Sequence, residues 1–459
     1  MMKRILHYFA LAASVAVMVC SCYGDSTPET PVVPPAPPFT DEEGKFVRVI
    51  ESDPAGKWVT IQYTGMGADG TIKNLSELIM VPQSSPELLA IGCHITITSD
   101  AQRPTNYKNL SVMTDVGFLS LLFSSKNALG VFPDYEGYGI TRSDPHPYLN
   151  RELTARQVIA GAKAARDWLE NYKRMPMASK WRGLLVGYSQ GGAVAASTIR
   201  YYQEYQLDGL NLIGAICGDG PYNPLETMKQ YVKDDKLFMP VSAALFLKGF
   251  VDTDAEMKAL GCTYADFATP AFMDTKIFDV LAKKESTTND IHSFLLARSK
   301  EKGSGFTMMV YNKKTESFLA YNAENTARYK DEDWELEEGT GHAYCTADQC
   351  FREGLITFFQ EEDKQTGEIP AEKLKALKKA LTENALTYGD WKPAPGSQNF
   401  LLFHSTKDEV VPFVNYQDVL ANWGKDCIKC HPYEDPATWT HLDTGKQFVI
   451  RVVTFMDEF

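Results

Sequence analysis

The chain has 459 residues, 44% of them apolar, which is ample for a large buried core and points to one fold with an insertion or to two domains. Its formal charge is −13, with acidic and basic residues mixed along the chain, which argues against a nucleic-acid partner because phosphate binding needs clustered Lys and Arg. Beyond residue 22 no stretch stays apolar for the roughly 20 residues of a membrane-spanning helix.

At the N-terminus, Lys3 and Arg4 precede the apolar run "ILHYFALAASVAVMV", which ends at "CSC". This reads as a bacterial export signal and not as part of the fold. Val19-Cys20-Ser21-Cys22 resembles a lipobox, and Cys22 fits the lipidated position because Ser21 before it is small. Residues 1–22 are therefore expected to be a lipoprotein signal peptide, an ordinary secretory signal being the blander reading. Residues 23–43 follow as a tether, with prolines at 28, 31, 34, 35, 37 and 38. A lipid on Cys22 would anchor the chain to a membrane without spanning it, facing the periplasm or the cell surface.

From residue 44 the runs "FVRVI", "WVTIQYT", "SELIMVP" and "LLAIGCHITI" are strand-like, bounded by Pro, Gly and Asp. "GFLSLLFSS" and "LGVFPDYEGYG" come next, the latter an apolar run ending in a Gly-rich loop. Residues 154–172 turn helical, with Val158, Ala162, Ala165 and Leu169 on one stripe. "RGLLVGYSQGGAVAAS" runs from strand through a tight turn into a helix, and "LIGAICGDGPYNP" is another buried strand. Strands alternating with helices predict a mostly parallel sheet, an α/β fold.

The alternation stops over residues 225–392, which read mainly as helices, including the amphipathic "PAEKLKALKKALTENAL". It resumes over 393–459 with "NFLLFHSTKDEVVP" and a final helix. The organisation expected is an α/β core, 44–224 and 393–459, interrupted by a helical insertion too long for a plain loop. Within it, "FMPVSAALFLKGF" either lines a cleft or forms the insertion's own core. The pairs Cys345/Cys350 and Cys427/Cys430 are spaced for disulfides in an exported protein. "CIKCH" at 427–431 matches a haem-attachment pattern with no partner ligand nearby, and is read as a small disulfide loop or two free thiols.

Gly187-Tyr188-Ser189-Gln190-Gly191 poses the functional question. A nucleophilic serine needs a base, a group to orient the base, and donors for the developing oxyanion. Gly-x-Ser-x-Gly supplies the nucleophile when a strand precedes it and a helix follows, and here both do. The chain order then expected is Ser, acid, His. Asp408, in a turn after the strand-like "NFLLFHS", is the first candidate acid; a solvated turn aspartate is the bland alternative, and Asp219 in "CGDGP" is the second candidate. His441, before the final helix, is the candidate base; His431 belongs to the Cys-x-x-Cys-His stretch. Oxyanion donors are expected from the backbone N–H of Gln190 and of Ile95 or Thr96, with His94 shaping that loop.

Taken together, "VFPDYEGYGITRSDPHPYL" (131–149), "GYSQGG", "HSTKDEVVP" and the late His441 resemble the secretory lipase family and its bacterial esterase relatives. The resemblance implies an α/β-hydrolase fold with a large helical cap over the active site, and places nucleophile, acid and base on Ser189, Asp408 and His441. The family's His-Gly-Thr oxyanion motif stands here as His94-Ile95-Thr96, without the glycine. The leading expectation is a serine carboxylic ester hydrolase, acting on a small-molecule or glycan-borne ester. A serine peptidase of the prolyl-oligopeptidase type shares the triad order, but residues 23–45 leave no room for a propeller. A non-catalytic surface lipoprotein that binds glycan or lipid would need none of the three residues. Ligand spacing suggests neither metal nor cofactor, and oligomeric state is left open.

Overall fold

A computed structural model describes residues 39–109, 111, 114–337, 342–434 and 440–459. Residues 1–22, read as a signal with its Cys22, and residues 23–38 of the expected tether lie outside the described residues. The α/β core is a nine-stranded sheet. In chain order its strands are β1 (Phe46–Ser52), β2 (Trp58–Met66), β3 (Ile72–Met80), β4 (Leu88–Cys93), β5 (Leu129–Pro133), β6 (Arg182–Tyr188), β7 (Leu212–Gly218), β8 (Phe400–Ser405) and β9 (Ile428–Tyr433). Their spatial order is β1-β2-β3-β5-β4-β6-β7-β8-β9. The first three run antiparallel, and from β5 onward every neighbouring pair is parallel.

The inner parallel strands β4 to β8 are mostly apolar and buried because both faces are covered, whereas the edge strand β9 (IKCHPY) is half-buried. Alternation is still present in their packing. Leu89 and Ile91 of β4 and Phe400 and Leu402 of β8 enter one core, with the helices α2 (Arg151–Asp167) and α3 (Gln190–Glu204). Ala90, Leu401 and Phe403 enter a second core on the other face, with α1 (Asp115–Ser125) and the last helix, α8 (His441–Met456). The apolar run "GFLSLLFSS" is thus helix α1. β4 ends at Cys93, so His94-Ile95-Thr96 is loop and not strand. The Cys-x-x-Cys-His stretch is not a disulfide loop: Cys427 closes a short turn, Cys430 and His431 lie on edge strand β9, and both thiols are free.

Between β7 and β8 the chain leaves the sheet. Its helices there include α4 (Pro224–Asp234), α5 (Pro240–Thr253) and α6 (Ala371–Glu383), and α7 (Val414–Trp423) follows β8. The reading of this region as helices missed a small antiparallel sheet. It is built on the hairpin Met309–Asn312 and Ser317–Ala320, flanked by Trp334–Glu335 and Ala343–Tyr344. Asn312 turns that hairpin by accepting from the N–H groups of Lys314 and Thr315. "PVSAALFLKGF" forms α5, buried along most of its length, with Phe246 edge-on to Tyr148 and to Tyr231 of α4. Among the described residues no helix is long and apolar enough to cross a membrane.

Candidate active site

Ser189 sits between β6 and α3 with φ 55° and ψ −125°, a conformation that costs about 1–3 kcal/mol and persists only when its surroundings enforce it. They do so by close approach. A Cβ on Gly187 would lie 2.1 Å from the Gly191 carbonyl oxygen, and one on Gly191 would lie 2.0 Å from that of Cys93. The Ser189 N–H donates to Gly218 O (2.8 Å), tying the turn to β7. The residue is half-buried at the carboxyl ends of the parallel strands, where α/β sheets place their reactive groups.

The structure brings Ser189, His441 and Asp408 together. His441 Nε2 lies 3.0 Å from Ser189 Oγ, and its Nδ1 lies 2.5 Å from Asp408 Oδ2. A carboxylate only accepts, so Nδ1 carries the proton and Nε2 faces the hydroxyl as acceptor. Asp408 is buried and its other oxygen accepts from the N–H groups of Val410 (2.8 Å) and Val411 (2.7 Å), which fixes its rotamer. The solvated-turn reading of Asp408 therefore fails. His441 is the first residue of α8, not part of a preceding loop, and Thr440 caps that helix. Its own N–H donates to Glu409 (2.9 Å), so consecutive acids hold the ring and the backbone of one histidine. Burial alone would lower the His441 pKa, but the Asp408 carboxylate, with Glu409, outweighs it and raises it above the ordinary value. Burial and the neighbouring Asp408 push Glu409 up to about 7.

The oxyanion expectation needs one correction. Ile95 N–H is not free, because it donates to Asp115 Oδ2 at 2.7 Å, a carboxylate delivered by α1. That leaves Thr96, whose hydroxyl lies 3.1 Å from the Tyr148 hydroxyl, beside Gln190, whose N–H opens α3. His94 is buried, stacked on Tyr135, and spans the Ile95 and Asp134 carbonyls, consistent with shaping this loop. The side chain of Gln190 is pinned by His146 of the His-Pro-Tyr-Leu stretch. His146 Nδ1 donates to Glu136 O (2.8 Å), so its Nε2 accepts from the Gln190 amide at 2.9 Å. Burial pushes His146 down to about 3, keeping it neutral for that task.

Asp219 is within reach of the site but does not touch the imidazole. Its Oδ1 accepts from Ser405 N–H (2.7 Å) and its Oδ2 lies 2.6 Å from the Tyr188 hydroxyl. Asp219, His404 and Asp408 each place a potential metal-ligand atom within 4.8 Å of the others. The oxygens of both acids are already engaged, so a cation there would displace the contacts that hold His441. His431 is remote from the other site residues, 3.2 Å from Glu458 at the edge of the sheet. Above the site, Tyr231 of α4 donates to Val410 O (2.7 Å), and a cavity of about 540 Å³ reaches Asp408 and Glu409 between Tyr231, Phe238 and Phe413.

Tyr188, Glu409 and His146 escaped the sequence reading. The first two adjoin residues it singled out, and the third lies in a quoted motif, so proximity in the chain was the available signal. No protein-family model and no curated protein sequence matches the chain. Solved structures do. The ligand-bound form of the rice cell wall degrading esterase LipA from Xanthomonas oryzae matches with a TM-score of 0.60 at 16% identity, over 91% of this chain and 99% of that one. Candida antarctica lipase A matches with a TM-score of 0.53 at 13% identity, over 87% of this chain and 78% of that one. Likenesses at such identities carry the architecture, and the chain has the α/β-hydrolase fold.

Proposed function

We propose that the protein is a serine carboxylic ester hydrolase working through an acyl-enzyme. The carrying observation is the pair of contacts from His441, 3.0 Å to the Ser189 hydroxyl and 2.5 Å to Asp408, with the serine on a strained turn between strand and helix. Ser189 Oγ attacks the ester carbonyl while His441 Nε2 takes its proton. The imidazolium so formed is stabilised by Asp408, which stays ionised and holds the ring in the productive tautomer. The backbone N–H groups of Gln190 and Thr96 receive the oxyanion. His441 then returns the proton to the leaving alcohol, and water, deprotonated by the same nitrogen, releases the acid and Ser189.

The esterase and lipase activities in the names of the two matched structures support this choice over amide hydrolysis. The substrate class is an ester of a small molecule or of a glycan. Export as a lipoprotein through Cys22 completes the reading; incorporation of labelled palmitate, abolished by Cys22→Ala, is the result expected. The activity itself is tested with p-nitrophenyl esters from acetyl to palmitoyl. The expected result is turnover that Ser189→Ala abolishes, with one acyl length preferred. An absence of turnover across the series, in folded protein, would sink the proposal.

A further inference from the structure

Tyr188 precedes the nucleophile, and its hydroxyl makes two short contacts. One runs 2.6 Å to the backbone carbonyl oxygen of His441, the other 2.6 Å to Asp219 Oδ2. A phenol has one proton. A carbonyl oxygen can only accept, so the contact with His441 consumes it. The second contact is equally short and needs a proton of its own, because two oxygens at that separation without one repel. The available source is the carboxyl of Asp219. Its Oδ1 already accepts from Ser405 N–H at 2.7 Å, which leaves Oδ2 to carry the hydrogen.

We propose that Asp219 is a neutral carboxylic acid and that, through Tyr188, it holds the backbone of His441, making the two a positioning pair behind the catalytic base. Asp219 is fully buried and its backbone N–H is tied to Phe403 O (2.9 Å), so the acid is rigid on two strands. The groups facing it are Asp408, His441, Tyr188, Tyr222, Ser405 and His404, whose Nδ1 lies 3.8 Å from Oδ1. Burial first, and the Asp408 carboxylate second, raise its pKa well above the carboxylate range. The slot for Tyr188 is built on purpose-sized residues. A Cβ on Gly218 would lie 2.6 Å from the Tyr188 ring, and one on Gly445, inside α8, 2.9 Å from it. Glycine is disfavoured within a helix relative to alanine, and here it admits the ring.

The inference rests on the proposed hydrolase reading, and its test separates the two. Tyr188→Phe and Asp219→Ala remove the hold on His441, and both are expected to lower kcat on the order of 10²-fold with KM little changed, as misplaced catalytic groups do. Asp219→Asn is expected to recover most of that loss, because the amide can donate to Tyr188 and accept from Ser405. The pH profile decides the protonation state. Glu409→Gln, the control, removes a negative charge beside His441 and should move the acid limb down by about one unit. Asp219→Asn should leave the limb in place, since no charge is lost. Infrared difference spectra of wild type against Asp219→Asn, recorded above the ordinary carboxyl range, should show loss of one carboxylic C=O band whether or not the protein turns over ester. A limb shifted by Asp219→Asn, or no lost band, overturns the neutral acid. Unchanged kcat in Tyr188→Phe overturns the positioning role. Wild type without esterase activity but with the lost band overturns only the function.

Discussion

The carboxyl ends of β6, β7 and β8 and the insertion above them are constructed by different means. At the strand ends, Ser189, Asp219 and Asp408 are held by backbone hydrogen bonds within a few residues of themselves or from the adjacent strand. Beside a backbone bridge between Ser99 and Glu285, the insertion is held to the core largely by side chains from distant segments. Phe246 meets Tyr148, Tyr231 donates to Val410 O, and the Lys284 ammonium donates to the carbonyls of Gly137, Arg142 and Asp144. Geometry set by a turn is stiff and tolerates little change, whereas geometry set by interdigitated side chains is tuned by size and shape. The first suits reacting groups and the second suits substrate selection.

Changes in the first region are therefore expected to damage rate without damaging the fold, and changes in the second the reverse. The largest effect is Asp408→Asn, which keeps the shape of the loop but favours the wrong imidazole tautomer; kcat should fall on the order of 10⁴-fold with the thermal midpoint nearly unchanged. Phe246→Ala empties a buried site between Tyr148 and Tyr231 and should cost about 3–5 kcal/mol in chemical denaturation. Phosphonylation of Ser189 should persist in the fraction that remains folded. Lys284→Met leaves three carbonyls without their donor and should cost about 1–3 kcal/mol by the same measurement.

The pH dependence is a gentler probe. His441 must be neutral to accept the serine proton, and Asp408 and Glu409 raise its pKa above 6.5. Activity should therefore climb with pH through a midpoint above 6.5, while the stability the charged form contributes is complete below 6.5 and fades as pH rises through the folded-state value. A midpoint below 6.5 would place His441 in a less acidic setting than the one described. The smallest effect is His431→Ala. That residue pairs with Glu458 at the sheet edge, and its loss should leave kcat/KM unaltered within error.

The same contrast explains what the sequence disclosed. The meeting of Ser189, Asp408 and His441 was legible because each depends on local chemistry: glycines around a tight turn, an acid after an apolar strand, a histidine ahead of a helix. The parallel sheet was legible from apolar runs separated by helical stripes. Ile95 was misjudged because its N–H is taken by Asp115, and only the docking of α1 beneath the loop brings that carboxylate there. Asp219 was read as the second candidate acid, but its contact with Tyr188 depends on the register of β6 against β7, and the contact of Tyr188 with His441 on where α8 docks, neither of which a local pattern encodes. The small sheet of the insertion was missed because its strands are two to four residues long, too short for alternation to register.

The central claim is that Ser189 is the nucleophile, activated by His441. Its most direct test is the intact mass of the protein after exposure to a fluorophosphonate, with the adduct located by peptide mapping. The expected result is a single adduct on Ser189, absent in Ser189→Ala and formed far more slowly in His441→Ala. An adduct on another serine, or one on Ser189 that forms equally fast without His441, would contradict it.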